Sequence, residues 1–167
     1  MNIQQFNQQE KTKAKQQLFN CCGSTTWTES MLEMMPFYSV EEMQICADEV
    51  WKATKETDWK EAFTHHPVIG DLKSLKEKFA STLNFTTSEQ AGVKEATDDV
   101  LMELQRMNEK YQKKYGYIFI ICATGKSAGE MLSALKERME NNPEREIRIA
   151  AEEQHKIIHL RIEKLFV

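Results

Sequence analysis

Turn-forming residues are scarce in this 167-residue chain, which holds only six glycines and three prolines. An all-β sandwich or barrel needs many tight turns built on those residues, so the shortage argues for long helices. No uninterrupted apolar run approaches the roughly 20 residues that a membrane-spanning helix requires. The opening stretch, MNIQQFNQQEKTK, lacks the apolar core of a secretory leader, and the final KLFV is not a peroxisomal address. A soluble, cytoplasmic protein that does not engage membranes is the expectation. Excess positive charge is also missing: Lys and Arg number 22 against 26 Asp and Glu, a net charge of −4. With the signs interspersed along the helical stretches, the chain offers no electrostatic footprint for nucleic acid. The four cysteines (Cys21, Cys22, Cys46 and Cys122) contain no C-x-x-C pair, so reduced and mostly buried thiols are expected, and no structural zinc site.

What is present is the composition of a folded domain, with 41% hydrophobic and 29% charged residues. No repeat or low-complexity linker interrupts it, so residues 1–167 are read as one domain. A first helix is expected from about Asn7 to Asn20, stopping before Gly23, and a second from Thr26 to Met35, stopping before Pro36. After Ser39, an N-cap type, the apolar residues Val40, Met43, Ala47, Val50 and Trp51 recur at helical steps. A short helix, DWKEAF, should end at His66 because Pro67 disfavours helical geometry in the residue before it. DLKSLKEKFA is a further short helix. Thr86 and Glu89 have capping-box spacing at the head of the longest helix, whose stripe is Val93, Ala96, Val100, Leu104, Met107 and Tyr111, with Gly116 as its stop. YIFIICA reads equally as a buried strand or a buried helical segment. Ser127 and Glu130 repeat the capping-box spacing, and Asn142-Pro143 fit the N-cap and first turn of a last helix reaching Leu165. The fold class is therefore all-α, a single-domain multi-helix bundle.

Three places in the sequence have side chains suited to chemistry. In His65-His66-Pro67-Val68-Ile69-Gly70, proline holds an imidazole on a rigid corner between helices, which suits proton transfer near neutral pH; a hydrogen-bonded helix end is the plainer reading. Glu89-Gln90 opens the long helix, where free N–H groups and the dipole attract anions, although Glu89 also serves to close its own cap. Arg161 falls on the ladder Ile147, Ala150, Gln154, Ile158, Arg161, Leu165, so it needs a carboxylate partner or a ligand anion unless it snorkels to the surface. Two other features are discounted. Gly125-Lys126-Ser127 mimics the end of a phosphate loop, but Ile120 stands where that loop needs glycine. His155 and His159 are four apart but share a polar face with Arg148, Glu152 and Glu163, so a solvated face is expected and no metal.

Taken in order, CCGSTTW, MPF, DWKEAFTHHPVIGDL, SEQAG, YGYIFIICATGKSAGEML and KIIHLRIEKL resemble the 2-oxo-4-hydroxy-4-carboxy-5-ureidoimidazoline (OHCU) decarboxylases of urate degradation, over nearly the whole chain. The resemblance implies an all-α fold and cofactor-free decarboxylation to (S)-allantoin and CO₂. It implies His66 as the essential histidine, with Glu89 and Arg161 beside it. Pro67 would wall the pocket, and Thr86, Gln90 and the main chain of Ile120, Ile121, Cys122 and Ala123 would bind substrate. Family analogy also suggests a homodimer. Two positions depart from the family pattern: Val68 where arginine is frequent, and Thr86 where serine is usual. A non-catalytic helical interaction module on the same scaffold is the chief alternative, and a metal-dependent hydrolase using His65, His66 and Cys122 a distant third.

Overall fold

Eight helices and no strand occupy the described residues of the computed structural model, which are 1–66 and 90–167, with side chains over 1–66 and 98–167. The helices are α1 (Ile3–Asn7), α2 (Lys11–Cys22), α3 (Thr25–Glu33), α4 (Val40–Ala53), α5 (Glu56–Thr64), α6 (Gln90–Tyr115), α7 (Ala128–Arg138) and α8 (Pro143–Leu165). The all-α expectation holds. The chain falls into two compact units, Met1–His66 with Ile147–Val167, and Pro67–Glu146. The expected DLKSLKEKFA helix and the Thr86–Glu89 cap lie outside the described residues.

In the first unit, the helix expected over Asn7–Asn20 starts later, as α2, and a separate short helix, α1, precedes it and ends at Asn7. The Asn2 side chain caps α1 by accepting from Gln5 N at 2.9 Å. At its other end, the Asn7 amide donates to Phe37 O at 2.7 Å and accepts from Phe37 N at 3.1 Å. This pairing satisfies a loop main chain and fixes where α1 stops, while Phe6 is buried against Phe37 and Phe166. A partner thirty residues away thus overrides helical continuity. By contrast α4 begins where expected, with Ser39 Oγ accepting from Glu42 N at 3.1 Å. Its inward face is Met43, Ala47, Val50 and Trp51, all buried.

Around that face lie Leu18, Trp27, Met31, Ala62, Ile158 and Ile162, each fully buried. Ala62 apart, each of these large apolar side chains contributes about 1.5–3 kcal/mol. All three indoles find acceptors: Trp27 Nε1 on Ala47 O, Trp51 Nε1 on Ala151 O, and Trp59 Nε1 on Thr54 Oγ1. The bulk of the core therefore carries no unsatisfied indole N–H. The Trp51 bond also ties α4 to α8.

In the second unit, α6 packs on α7 through Leu101, Leu104, Met107, Met131, Leu132 and Leu135. Gly116 ends α6 with φ 83°, and α7 opens on a reciprocal capping box between Ser127 and Glu130. YIFIICA is neither strand nor helix but an irregular buried run. Its burial is possible because a side chain replaces a ladder: Arg138 Nη1 donates to Ile120 O at 2.7 Å, and the guanidinium lies 4.4 Å from the Phe119 ring centroid. Arg138 is itself held by the fully buried Glu146, at 2.7 Å from Nε and 2.6 Å from Nη2. Tyr111 OH and Asn141 Nδ2 donate to the same carboxylate, at 2.5 and 2.8 Å. Burial, and then the bond to Glu146, push the Tyr111 phenol far above its usual range, so it stays a donor.

Candidate active site

His66 follows the end of α5, and that end is placed by its neighbours. Thr25 donates to Glu61 from both N (2.9 Å) and Oγ1 (2.6 Å), and Thr26 Oγ1 donates to Asp58 Oδ1 at 2.7 Å. Two carboxylates of α5 are thereby docked on the N-terminus of α3, where N–H groups and the helix dipole favour negative charge. His65 caps α5 and packs edge-on against Phe19, ring centroids 4.7 Å apart. Gly23 is required beneath it. Its φ is 81°, and a Cβ there would lie 2.8 Å from His65 Cβ. His65 therefore shapes the corner rather than sharing the contacts of His66.

The His66 ring lies between two side chains of α8. Gln154, fully buried, donates through Nε2 to Cys22 O at 3.2 Å, which leaves its Oε1 facing His66 Nε2 at close hydrogen-bond range. An amide oxygen only accepts, so Nε2 carries hydrogen. On the other side, Arg161 Nη2 approaches His66 Nδ1 at 3.4 Å. Because the guanidinium only donates, this contact presents Nδ1 to Arg161 as an acceptor.

Arg161 does not have the carboxylate partner that its place on the ladder called for: among the described residues it pairs with none. Its Nη1 instead donates to Asn20 O and Cys21 O, at 3.2 and 3.3 Å. These are last-turn carbonyls of α2, which have no partner within the helix and sit at the negative end of its dipole. The guanidinium is thus fixed in place with no carboxylate against it among the described residues. Burial pushes the neighbouring Cys21 thiol up to about 12, with Arg161 only partly opposing, and Cys22 is raised further. Both thiols stay protonated and unreactive, as the cysteine reading expects.

The structure brings His66 and Arg161 together. Pro67, Thr86 and Glu89 lie outside the described residues, as does Val68. The backbone is helical from Gln90 onward, but its side chain is likewise outside them. In the run Ile120, Ile121, Cys122 and Ala123, three carbonyls are already engaged: Ile120 O by Arg138, Cys122 O by Lys126 Nζ at 3.1 Å, and Ala123 O by Lys126 N at 3.1 Å. Lys126 accordingly serves a turn, in keeping with the rejected phosphate loop. Gln154 is the residue sequence reasoning passed over. Its signal was a polar side chain on the same apolar ladder that exposed Arg161.

An imidazole fixed between an amide and a guanidinium that meets no carboxylate among the described residues, on an all-helical frame, is the kind of centre that suits acid–base chemistry on an anion. The chain belongs to the OHCU decarboxylase family, whose model matches residues 7–163. It is 44% identical over 149 residues to the uric acid degradation bifunctional protein TTL of Arabidopsis thaliana, covering 87% of this chain and 45% of that protein. It is 24% identical over 144 residues to the OHCU decarboxylase of Halalkalicoccus jeotgali, covering 85% of this chain and 75% of that one. A crystal structure of OHCU decarboxylase in the presence of (S)-allantoin is similar with a TM-score of 0.72 and 38% identity, covering 95% of this chain and 99% of that chain. The chain spans less than half the length of the bifunctional relatives.

Proposed function

We propose that this chain decarboxylates OHCU to (S)-allantoin and CO₂, within urate degradation, without a cofactor. The observation that carries the reading is the His66 ring held between Gln154 and Arg161 in a chain of this family. The (S)-allantoin named with the similar crystal structure supports the product. The family match across residues 7–163 favours reading 1–167 as one decarboxylase domain.

The chemistry needs little beyond placement. The bond from the ring carbon to the carboxylate breaks and CO₂ leaves. Its electron pair moves toward the substrate's own ring C=N, whose nitrogen takes a proton. The resulting enol gives up its hydroxyl proton while a proton is added to one face of the carbon bearing the ureido group, so that one proton is consumed overall. Since the ring C=N is the electron sink, the protein supplies orientation, charge placement and facial proton delivery. In the proposal His66 delivers that proton, Arg161 holds an anionic or carbonyl oxygen, and Glu89 orients His66 or the substrate hydroxyl. Pro67 and Thr86 flank the substrate. Gln90 and main-chain groups of Ile120, Ile121, Cys122 and Ala123 grip its ureido and ring amides.

No described helix is long and apolar enough to cross a membrane, and a cytoplasmic homodimer is part of the proposal. The test is to follow freshly generated OHCU by absorbance and circular dichroism, with and without protein. Accelerated decay giving an optically active product is expected. Decay at the buffer rate to racemic allantoin would overturn the reading.

A further inference from the structure

The two histidines discounted as a solvated face turn out to have a common partner. His155 and His159, one helical turn apart on α8, both direct Nε2 at Oδ1 of Asp48 on α4; the His155 contact is 2.5 Å and that of His159 is also at close hydrogen-bond range. Their rings stand nearly perpendicular, centroids 5.1 Å apart. One donor atom from each of the three side chains lies within 4.8 Å of the others. The side chains are 28%, 32% and 31% exposed for His155, His159 and Asp48, so the cluster is partly shielded yet open to entry from solvent.

We propose that Asp48, His155 and His159 bind one divalent first-row transition metal ion, with zinc as the best fit, clipping α4 to α8. Two imidazoles and one carboxylate leave a fourth position for water, a donor set that suits zinc. Zinc bonds of about 2.0–2.2 Å would separate each nitrogen from the carboxylate oxygen by on the order of 1 Å more than now, within reach of side-chain rotation. The clip has a structural consequence, because Gln154 precedes His155 and Arg161 follows His159 by two. Fixing α8 against α4 fixes the helix that holds His66.

The experiment titrates tag-free, chelator-treated full chain with Zn²⁺ alone, by calorimetry and thermal unfolding. One ion per chain is expected, with a rise in melting temperature that grows with free zinc. Asp48→Asn, which preserves size, should weaken binding at least tenfold, and His159→Ala likewise. Because a variant could lose its fold, Co²⁺ is also added to the wild-type protein. Paramagnetic broadening of the His155 and His159 ring signals, ahead of His66, supports the site. No zinc binding, unchanged affinity in folded Asp48→Asn, or broadening centred on His66 would each overturn it. None of these readouts uses turnover, so failure here is distinct from failure of the decarboxylase reading.

Discussion

Two arginines in this protein face inward, and their surroundings differ in kind. Arg138 is 8% exposed and meets the fully buried Glu146, Ile120 O and the Phe119 ring. Its charge is cancelled by a carboxylate that Tyr111 and Asn141 also satisfy. Arg161 has only the carbonyls of Asn20 and Cys21 and one nitrogen of His66 among the described residues. Carbonyl dipoles position a cation without neutralising it. The first arrangement is a closed structural pin, whereas the second, among the described residues, keeps a positive charge beside an imidazole, where the proposed anionic substrate would meet it.

The comparison breaks most visibly on stability. Glu146→Gln leaves the Arg138 charge buried without its counter-ion and should cost about 3–5 kcal/mol, read as a drop in the urea midpoint. Replacing both members, as in Arg138→Met with Glu146→Leu, should recover much of that loss. Arg161→Met should cost only about 1 kcal/mol, the scale of a helix-end charge interaction, while turnover falls. Equal destabilisation by the two single variants would erase the distinction.

Smaller effects sharpen the active corner. Gln154→Leu removes the acceptor for His66 Nε2 and the donor for Cys22 O. A lost hydrogen bond worth about 1.4 kcal/mol corresponds to a tenfold fall in kcat, with KM little changed because the loss is in orienting the ring. An unchanged kcat in that variant would mean Gln154 only caps α2. Gly23→Ala, forced into a left-handed φ and against His65, should destabilise by about 1–2 kcal/mol in thermal unfolding.

What could be read from the sequence follows the reach of local physics. Ser39, the Ser127–Glu130 pair, Asn142-Pro143 and Gly116 act within a few residues of themselves, and each sits where capping rules put it. Helix termini and stripes were therefore legible. The break after Asn7 was not, because its cause is Phe37. YIFIICA was ambiguous for the same reason: Arg138, eighteen residues beyond Ile120, helps make an irregular backbone tolerable there. At the site, Arg161 and Gln154 stood out as polar residues on an apolar ladder, but which groups they would touch depended on how α2, α5 and α8 pack. The role of His155 and His159 changed once Asp48, from a different helix, was seen between them.

The most direct measurement is the conversion of freshly generated OHCU by wild-type protein and by His66→Asn, followed by circular dichroism. Wild-type protein should give allantoin of the S hand alone. The variant should unfold at the wild-type midpoint but turn over about a hundred- to ten-thousand-fold more slowly, the usual worth of a positioned acid–base group. A folded His66→Asn protein that forms optically pure product at the wild-type rate would contradict the assignment of proton delivery to this imidazole.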